Sequence, residues 1–109
     1  MNMQKRSDER SIALHKEIAK KLRNNPNLWD IPPKNIARWK KMRDILPSAF
    51  VEWENILNQK TKEEILSILE DDSEYSIRLR SSSPFTGILS ETERKTIFEY
   101  YRSKKITNN

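Results

Sequence analysis

Apolar residues recur every three or four positions along most of the chain, the spacing that places them on one face of an α-helix. Leu14, Ile18 and Leu22 show it most clearly, four residues apart in a largely polar segment. The alternation that indicates a half-buried strand is not seen. Because short helices are stable only when packed together, the pattern predicts an all-α fold, a compact bundle of five or six short helices in a single domain. The further predicted faces are Ile36 with Trp39, Phe50 with Trp53, Ile56 and Leu57, Ile65 with Ile68 and Leu69, Tyr75 with Ile77 and Leu79, and Ile97 with Phe98 and Tyr101.

Capping residues and prolines set the predicted helix ends. The first helix is predicted to start at Ser7, an N-cap candidate, and to end at Asn24-Asn25-Pro26, because proline cannot continue the hydrogen-bond ladder. The later boundaries are a helical turn over residues 27–31, a helix from Lys34 to Leu46, a helix opened by Pro47, capping boxes of Thr61 with Glu64 and of Ser90 with Glu93, and a cap at Ser73. The helical domain is thus expected to span residues 7–102, with residues 1–6 and 103–109 as flexible tails.

The composition indicates the size class of the protein and its expected cellular compartment. With 109 residues the chain has the usual size of one domain. It contains no cysteine, so disulfides and thiolate metal sites are excluded, and this composition fits a reducing compartment. No apolar run suggests a signal peptide or a membrane span. The expected location is therefore the cytoplasm, without membrane contact.

The charges are distributed unevenly along the chain. Residues 1–46 carry 12 Lys and Arg against 5 Asp and Glu, whereas residues 47–99 carry 6 against 11. A basic half beside an acidic half suggests a polar contact with a charged partner, and the alternative is a solvated helical surface.

Little in the sequence indicates catalysis or a cofactor. His15 is the only histidine, has no nucleophile or orienting carboxylate beside it in sequence, and is interpreted as a surface or boundary residue of the first helix. The acidic run 70–74 lacks the ligand spacing and turn glycine of a calcium loop. The single glycine, Gly87, excludes a glycine-rich phosphate loop. We therefore predict no catalytic residue, no metal, no cofactor and no enzymatic activity.

The segment from Arg78 to Arg94 is the main candidate for a partner-binding site. It combines arginines, serine hydroxyls, a proline-braced aromatic and a helix start, which together can hold a phosphate or a carboxylate. In the alternative interpretation, Phe85, Ile88 and Leu89 enter the core and the serines cap helices. The candidate partner-binding residues are Arg78, Arg80, Ser82, Ser83, Phe85 and Arg94, with Trp53 as either a core residue or an anchor.

A second hypothesis, from another class, is nucleic-acid binding. Basic residues interleave with Trp29 and Trp39, and cations neutralise phosphates while exposed aromatics stack on unpaired bases. No helix-turn-helix or RNA-recognition signature accompanies them. The candidate residues for this face are Arg23, Lys34, Arg38, Lys40, Lys41 and Arg43.

The segment 78–89, with the pattern RLRxSSPFxGxL, and the following Glu93-Arg94 resemble the C-terminal signature of a family of small bacterial helical proteins. Residues 14–19, Arg38-Trp39 and residues 49–53 resemble it as well, so the similarity covers most of residues 7–102. Members are suspected of acting as antitoxins, and some are attached to a helix-turn-helix module, which is not recognised in this chain. The resemblance implies a regulatory protein that masks a protein partner such as a toxin, and it leaves the oligomeric state open.

Overall fold

The computed structural model describes the backbone of residues 3–45 and 47–107 and the side chains of residues 8–45 and 47–102. The described backbone contains six α-helices and one 3-10 helix and no strand, which confirms the predicted all-α fold. The elements are α1 (Met3–Asn24), the 3-10 helix (Pro26–Asp30), α2 (Ile31–Met42), α3 (Ser48–Gln59), α4 (Lys62–Glu70), α5 (Glu74–Arg80) and α6 (Glu91–Thr107).

Local capping patterns in the sequence correctly predicted the starts of α4, α5 and α6. At α4, the backbone N–H of Glu64 donates to the Thr61 hydroxyl at 3.1 Å and the Glu64 carboxylate accepts from the Thr61 N–H at 2.9 Å. The same reciprocal pair joins Ser90 and Glu93 at α6, with distances of 2.7 and 3.1 Å. The hydroxyl of Ser73 accepts from the N–H of Ser76 at α5. These bonds satisfy amides that a helix start leaves without a backbone partner.

Other predicted boundaries were wrong. α1 begins at Met3, so Ser7 lies inside the helix, and α6 continues to Thr107, beyond the predicted end at residue 102. α2 runs over Ile31–Met42 and not from Lys34 to Leu46, because Asp30 has helical dihedrals and joins the 3-10 helix directly to α2. The prolines in its first turn are tolerated, since no intrahelical N–H bond is needed there. Residues 1–2, 46 and 108–109 lie outside the described residues. They include part of both predicted tails and Leu46, the predicted end of the second long helix.

One apolar cluster holds the fold together. α1 packs against α4, α5, α6 and the 3-10 helix, while α2 packs against the 3-10 helix and α3. Trp53 and Phe85 meet edge to face at its centre, with ring centroids 5.4 Å apart. Tyr75 of α5 is exposed, whereas Leu79 of the same helix is buried. The buried apolar residues are Ile18, Ala19, Leu22, Ile36, Trp53, Ile56, Ile65, Leu66, Ile68, Leu69, Leu79, Phe85, Ile88 and Leu89.

Candidate functional site

The loop between α5 and α6 is fastened to the core. Phe85, Ile88 and Leu89 are buried, as the alternative interpretation of this segment expected. The buried side-chain amide of Asn35 donates to the carbonyls of Pro84 and Thr86, both at 2.8 Å. The loop therefore has a fixed conformation and contributes to the core more than to a binding surface.

Two of the predicted partner-binding residues are core residues. Trp53 and Phe85 are buried, with 0% and 1% of their surface exposed, so neither is an anchor for a partner. The indole N–H of Trp53 donates to the backbone carbonyl of Leu79 at 2.8 Å, which satisfies its one polar group inside the core. For Trp53 this confirms the core role, one of its two predicted roles, whereas the prediction of Phe85 as a partner-binding residue is corrected.

Arg78 and Arg80 do not form one anion site. Arg80 is buried, and its guanidinium donates to the carbonyl of Ile68 at 2.9 Å and to that of Asp71. It thereby caps the C-terminal end of α4, where carbonyls lack helical partners and a positive charge is favoured. Burial lowers the pKa of Arg80. Exposed Arg78 instead forms a bidentate pair with Glu52, at 2.8 and 3.0 Å, so the prediction of Arg80 as a partner-binding residue is wrong.

His15 and Ser83 connect α1 to the loop, and the interpretation of His15 as a surface or boundary residue was wrong. His15 is only 6% exposed, with Nδ1 2.7 Å from the carbonyl oxygen of Ser11 and Nε2 2.8 Å from the hydroxyl of Ser83. Burial, opposed by the bond to Ser11 and assisted by the charge of Arg80, lowers the pKa of His15 to about 4. Ser82, beside it, is half-buried.

The geometry of this pair resembles a nucleophile and its base, but the surroundings do not support proton transfer. An efficient general base has a pKa near the working pH, and its protonated ring is stabilised by a carboxylate. Here the partner of Nδ1 is a neutral carbonyl, and the charge of Arg80 opposes protonation. The contact is therefore best interpreted as a structural bridge.

Arg94 is the remaining member of the predicted site, and it is exposed at the edge of a cavity. The cavity has a volume of about 140 Å³ and is lined by Leu14, His15, Ile18, Ser83, Phe85, Thr86, Gly87, Leu89 and Arg94. Glu93, next in sequence, turns away to Lys21 at 2.5 Å, and this bond together with the Ser90 amide lowers the pKa of Glu93 to about 2.

The face predicted to bind nucleic acid is only partly free. Arg23 is held by Glu70 at 2.7 Å, and Lys40 by Glu54. The others are exposed, and none forms an ion pair with a carboxylate of the described residues. We name Lys34, Arg38, Lys41 and Arg43 the basic strip: the first three share one face of α2, and Arg43 follows the helix directly.

The aromatic residues beside the basic strip are not free to stack on bases. Trp39 is half-buried and lies against Phe50, with ring centroids 4.6 Å apart. Trp29 is half-buried and packs edge-on against Phe85, at 6.4 Å. Both tryptophans therefore serve the fold.

Two large apolar side chains at the end of the basic strip were missed by the sequence analysis. Met42 and Ile45 are 74% and 83% exposed, and we name them the apolar corner. The predicted helix to Leu46 would have carried its apolar side inward, whereas α2 ends at Met42 and Arg43 is extended. Pro32 and Pro33 lie in the first turn of α2 and do not indicate where the helix ends.

Comparisons with known proteins leave the function open. The chain matches no protein-family model, no curated protein and no solved structure. The described residues contain no group of three or more His, Asp or Glu arranged to hold a metal ion. Among the helices of the same part of the chain, none is long and apolar enough to cross a membrane.

Proposed function

We propose that this protein is a non-enzymatic binding protein that docks on an acidic partner protein through the apolar corner and the basic strip. The observation that carries the proposal is the exposure of Met42 and Ile45 at the end of a row of cations. Exposed apolar groups rimmed by polar residues are typical of protein interaction sites.

The two parts of the surface have different roles in this proposal. Met42 and Ile45 lose water on contact and provide the buried centre of the interface. Lys34 and Lys41 are exposed and have no carboxylate partner among the described residues, so they attract acidic groups and orient the partner on approach. An acidic surface with an apolar centre fits both parts.

A masking role of the antitoxin type is the finer form of the proposal. The signature of residues 78–89 supports it through its resemblance to a suspected antitoxin family. In this chain, however, the signature supplies Arg80, Phe85 and the loop to the core. We therefore assign the contact with a toxin-like partner to the apolar corner and not to the signature itself.

Nucleic acid is the second candidate, favoured by the basic strip alone. Phosphate binding would use its four cations and depend steeply on salt. Nucleic-acid binding does not account for the exposure of Met42 and Ile45, and the basic strip has no exposed tryptophan beside it to stack on bases. A protein partner accounts for more of this surface.

The test compares the wild-type protein with matched variants during affinity purification from the cells that make it. Met42→Asp with Ile45→Asp removes the apolar corner, while Tyr100→Asp places one such charge on another exposed apolar residue, on α6. We expect one stoichiometric protein to be retained by the wild type and by Tyr100→Asp but lost with the corner variant. Lys34→Glu with Lys41→Glu is expected to slow association with that purified protein and to weaken its salt dependence.

Three outcomes would contradict the proposal. These are equal retention of the protein by the corner variant, the absence of any stoichiometric protein, and an eluate that contains nucleic acid alone. If the eluate contains nucleic acid alone, and if charge reversal of the basic strip abolishes its retention, nucleic-acid binding is established instead. Circular dichroism and thermal unfolding of each variant separate loss of binding from loss of fold.

A further inference from the structure

The cavity between α1 and the α5–α6 loop has an apolar floor and a polar mouth. Ile18, Phe85 and Leu89 are buried at its floor, whereas Thr86 and Arg94 are exposed at its mouth. Its volume is about 140 Å³. An engineered cavity of roughly 150 Å³ lined by similar residues binds benzene, so this space suits a group of the size of one aromatic ring.

The polar groups inside the cavity are already satisfied. Both ring nitrogens of His15 have partners, at Ser11 and Ser83. The Ser83 hydroxyl also accepts from the N–H of Phe85 at 3.2 Å. Because these groups have little need of a further hydrogen bond, the interior favours an apolar occupant over a polar one.

The mouth of the cavity is electropositive. The guanidinium of Arg94 lies 5.7 Å from the centre of the Phe98 ring, and that of Arg10 lies 4.6 Å from the same ring. Neither forms an ion pair with a carboxylate of the described residues. Arg10 precedes Leu14 of the cavity wall by one helical turn. Arg94 lines the apolar opening, and Arg10 contacts the same Phe98 ring as Arg94 without lining the cavity. These cations attract an anion, and guanidinium groups bind carboxylates in a bidentate manner.

We propose that this cavity is a binding site for a small carboxylate with an apolar body, such as an aromatic acid. The body occupies the space above Ile18 and Leu89, and the carboxylate pairs with Arg94 at the mouth, with Arg10 adding to the local positive potential. The site is separate from the apolar corner and the basic strip, and it does not depend on the proposed function.

The test uses benzoate as the probe and benzyl alcohol as its neutral counterpart of similar size. Methyl NMR signals of Ile18 and Leu89 report occupation of the floor during titration of the full chain. We expect benzoate to shift both signals saturably, and benzyl alcohol to bind about tenfold more weakly, because a charge-assisted hydrogen bond is lost.

Variants at two adjacent cations distinguish specific pairing from general attraction. Arg94→Gln is expected to weaken benzoate binding about tenfold and to leave benzyl alcohol unchanged. Lys95→Gln removes the same charge from the next residue of α6, which does not line the cavity, and should preserve benzoate binding. The proposal is overturned if neither probe shifts the methyl signals saturably, if both bind equally, or if the two variants weaken benzoate alike.

Discussion

The hydroxyl of Ser83 donates a hydrogen bond of 2.8 Å to Nε2 of His15, 68 residues earlier in the chain. The direction follows from the other ring nitrogen, since Nδ1 faces the carbonyl oxygen of Ser11, which can only accept. The hydrogen therefore resides on Nδ1, and the ring is neutral. Protonation of the ring would reverse this bond, because Nε2 would then donate to the Ser83 hydroxyl, and it would place a positive charge in a buried site.

The burial of the His15 ring predicts that the protein loses stability in mild acid. The pKa of His15 falls from 6.5 in the unfolded chain to about 4 in the fold, so below pH 6.5 the unfolded state binds the proton first. Stability is complete above pH 6.5 and is lost as the pH falls towards 4, by about 3 kcal/mol in total. Urea unfolding at intervals between pH 7 and 5 measures the slope.

The variant His15→Gln serves as the control for this slope. The chain has no other histidine, and carboxylates such as Glu93, whose pKa is lowered by Lys21, contribute losses only below their ordinary range near pH 4.5. The variant is expected to be less stable at pH 7 but to show a nearly flat free energy of unfolding between pH 6.5 and 5. An unchanged slope in His15→Gln would assign the acid sensitivity to another group.

Arg78 and Arg80 are predicted to differ sharply in their contribution to stability. Replacing buried Arg80 by Leu leaves the carbonyls of Ile68 and Asp71 without their donor and is expected to cost about 2–4 kcal/mol. Arg78→Leu removes only an exposed ion pair with Glu52, which water and salt screen, and should change the stability little. Chemical denaturation of both variants checks the contrast, and equal losses would refute the capping role of Arg80.

The sequence predicted the helices better than the roles of single residues. Helix starts depend on contacts within three residues, as between Thr61 and Glu64, and these can be recognised locally. The roles of His15 and Arg80 depend on partners that the fold brings from other elements, and no local pattern indicates them. In α5, Arg80 lies four residues after buried Ser76 and shares its helix face, whereas Arg78 lies on a different face.

The same limits apply to the candidate site. Its basic residues could be predicted from the sequence. The sequence does not show which of them pair with carboxylates, because Arg23 binds Glu70, which lies 47 residues later in the chain. The apolar corner escaped prediction because α2 ends at Met42, and residues 43–46 contain neither the glycine nor the proline that would indicate this end.

We predict that Gly87 is required because its backbone conformation favours glycine, and not because a side chain at this position would clash with its neighbours. Its φ is +97°, whereas a Cβ added there would meet no atom within 4 Å. Gly87→Ala is therefore expected to destabilise the fold by about 1–2 kcal/mol, the cost of a left-handed conformation for an L-residue. Gly87→Asn should cost less, because asparagine tolerates positive φ better. Thermal unfolding of the two variants tests the order, and equal stability of Gly87→Ala and the wild type would contradict it.

Trp53 is expected to contribute through both its hydrogen bond and its volume. Trp53→Phe keeps an aromatic ring against Phe85 but removes one of two donors to the Leu79 carbonyl, which still accepts from the N–H of Ser82 at 3.1 Å. We therefore expect a loss of about 1 kcal/mol. Trp53→Ala also opens a cavity at the centre of the core and should cost about 3–5 kcal/mol. Because the side chain is fully buried, Trp53→Phe should bind a partner at the apolar corner as well as the wild type does at temperatures where it is folded. Weakened binding by a folded Trp53→Phe protein would return this residue to the interaction surface.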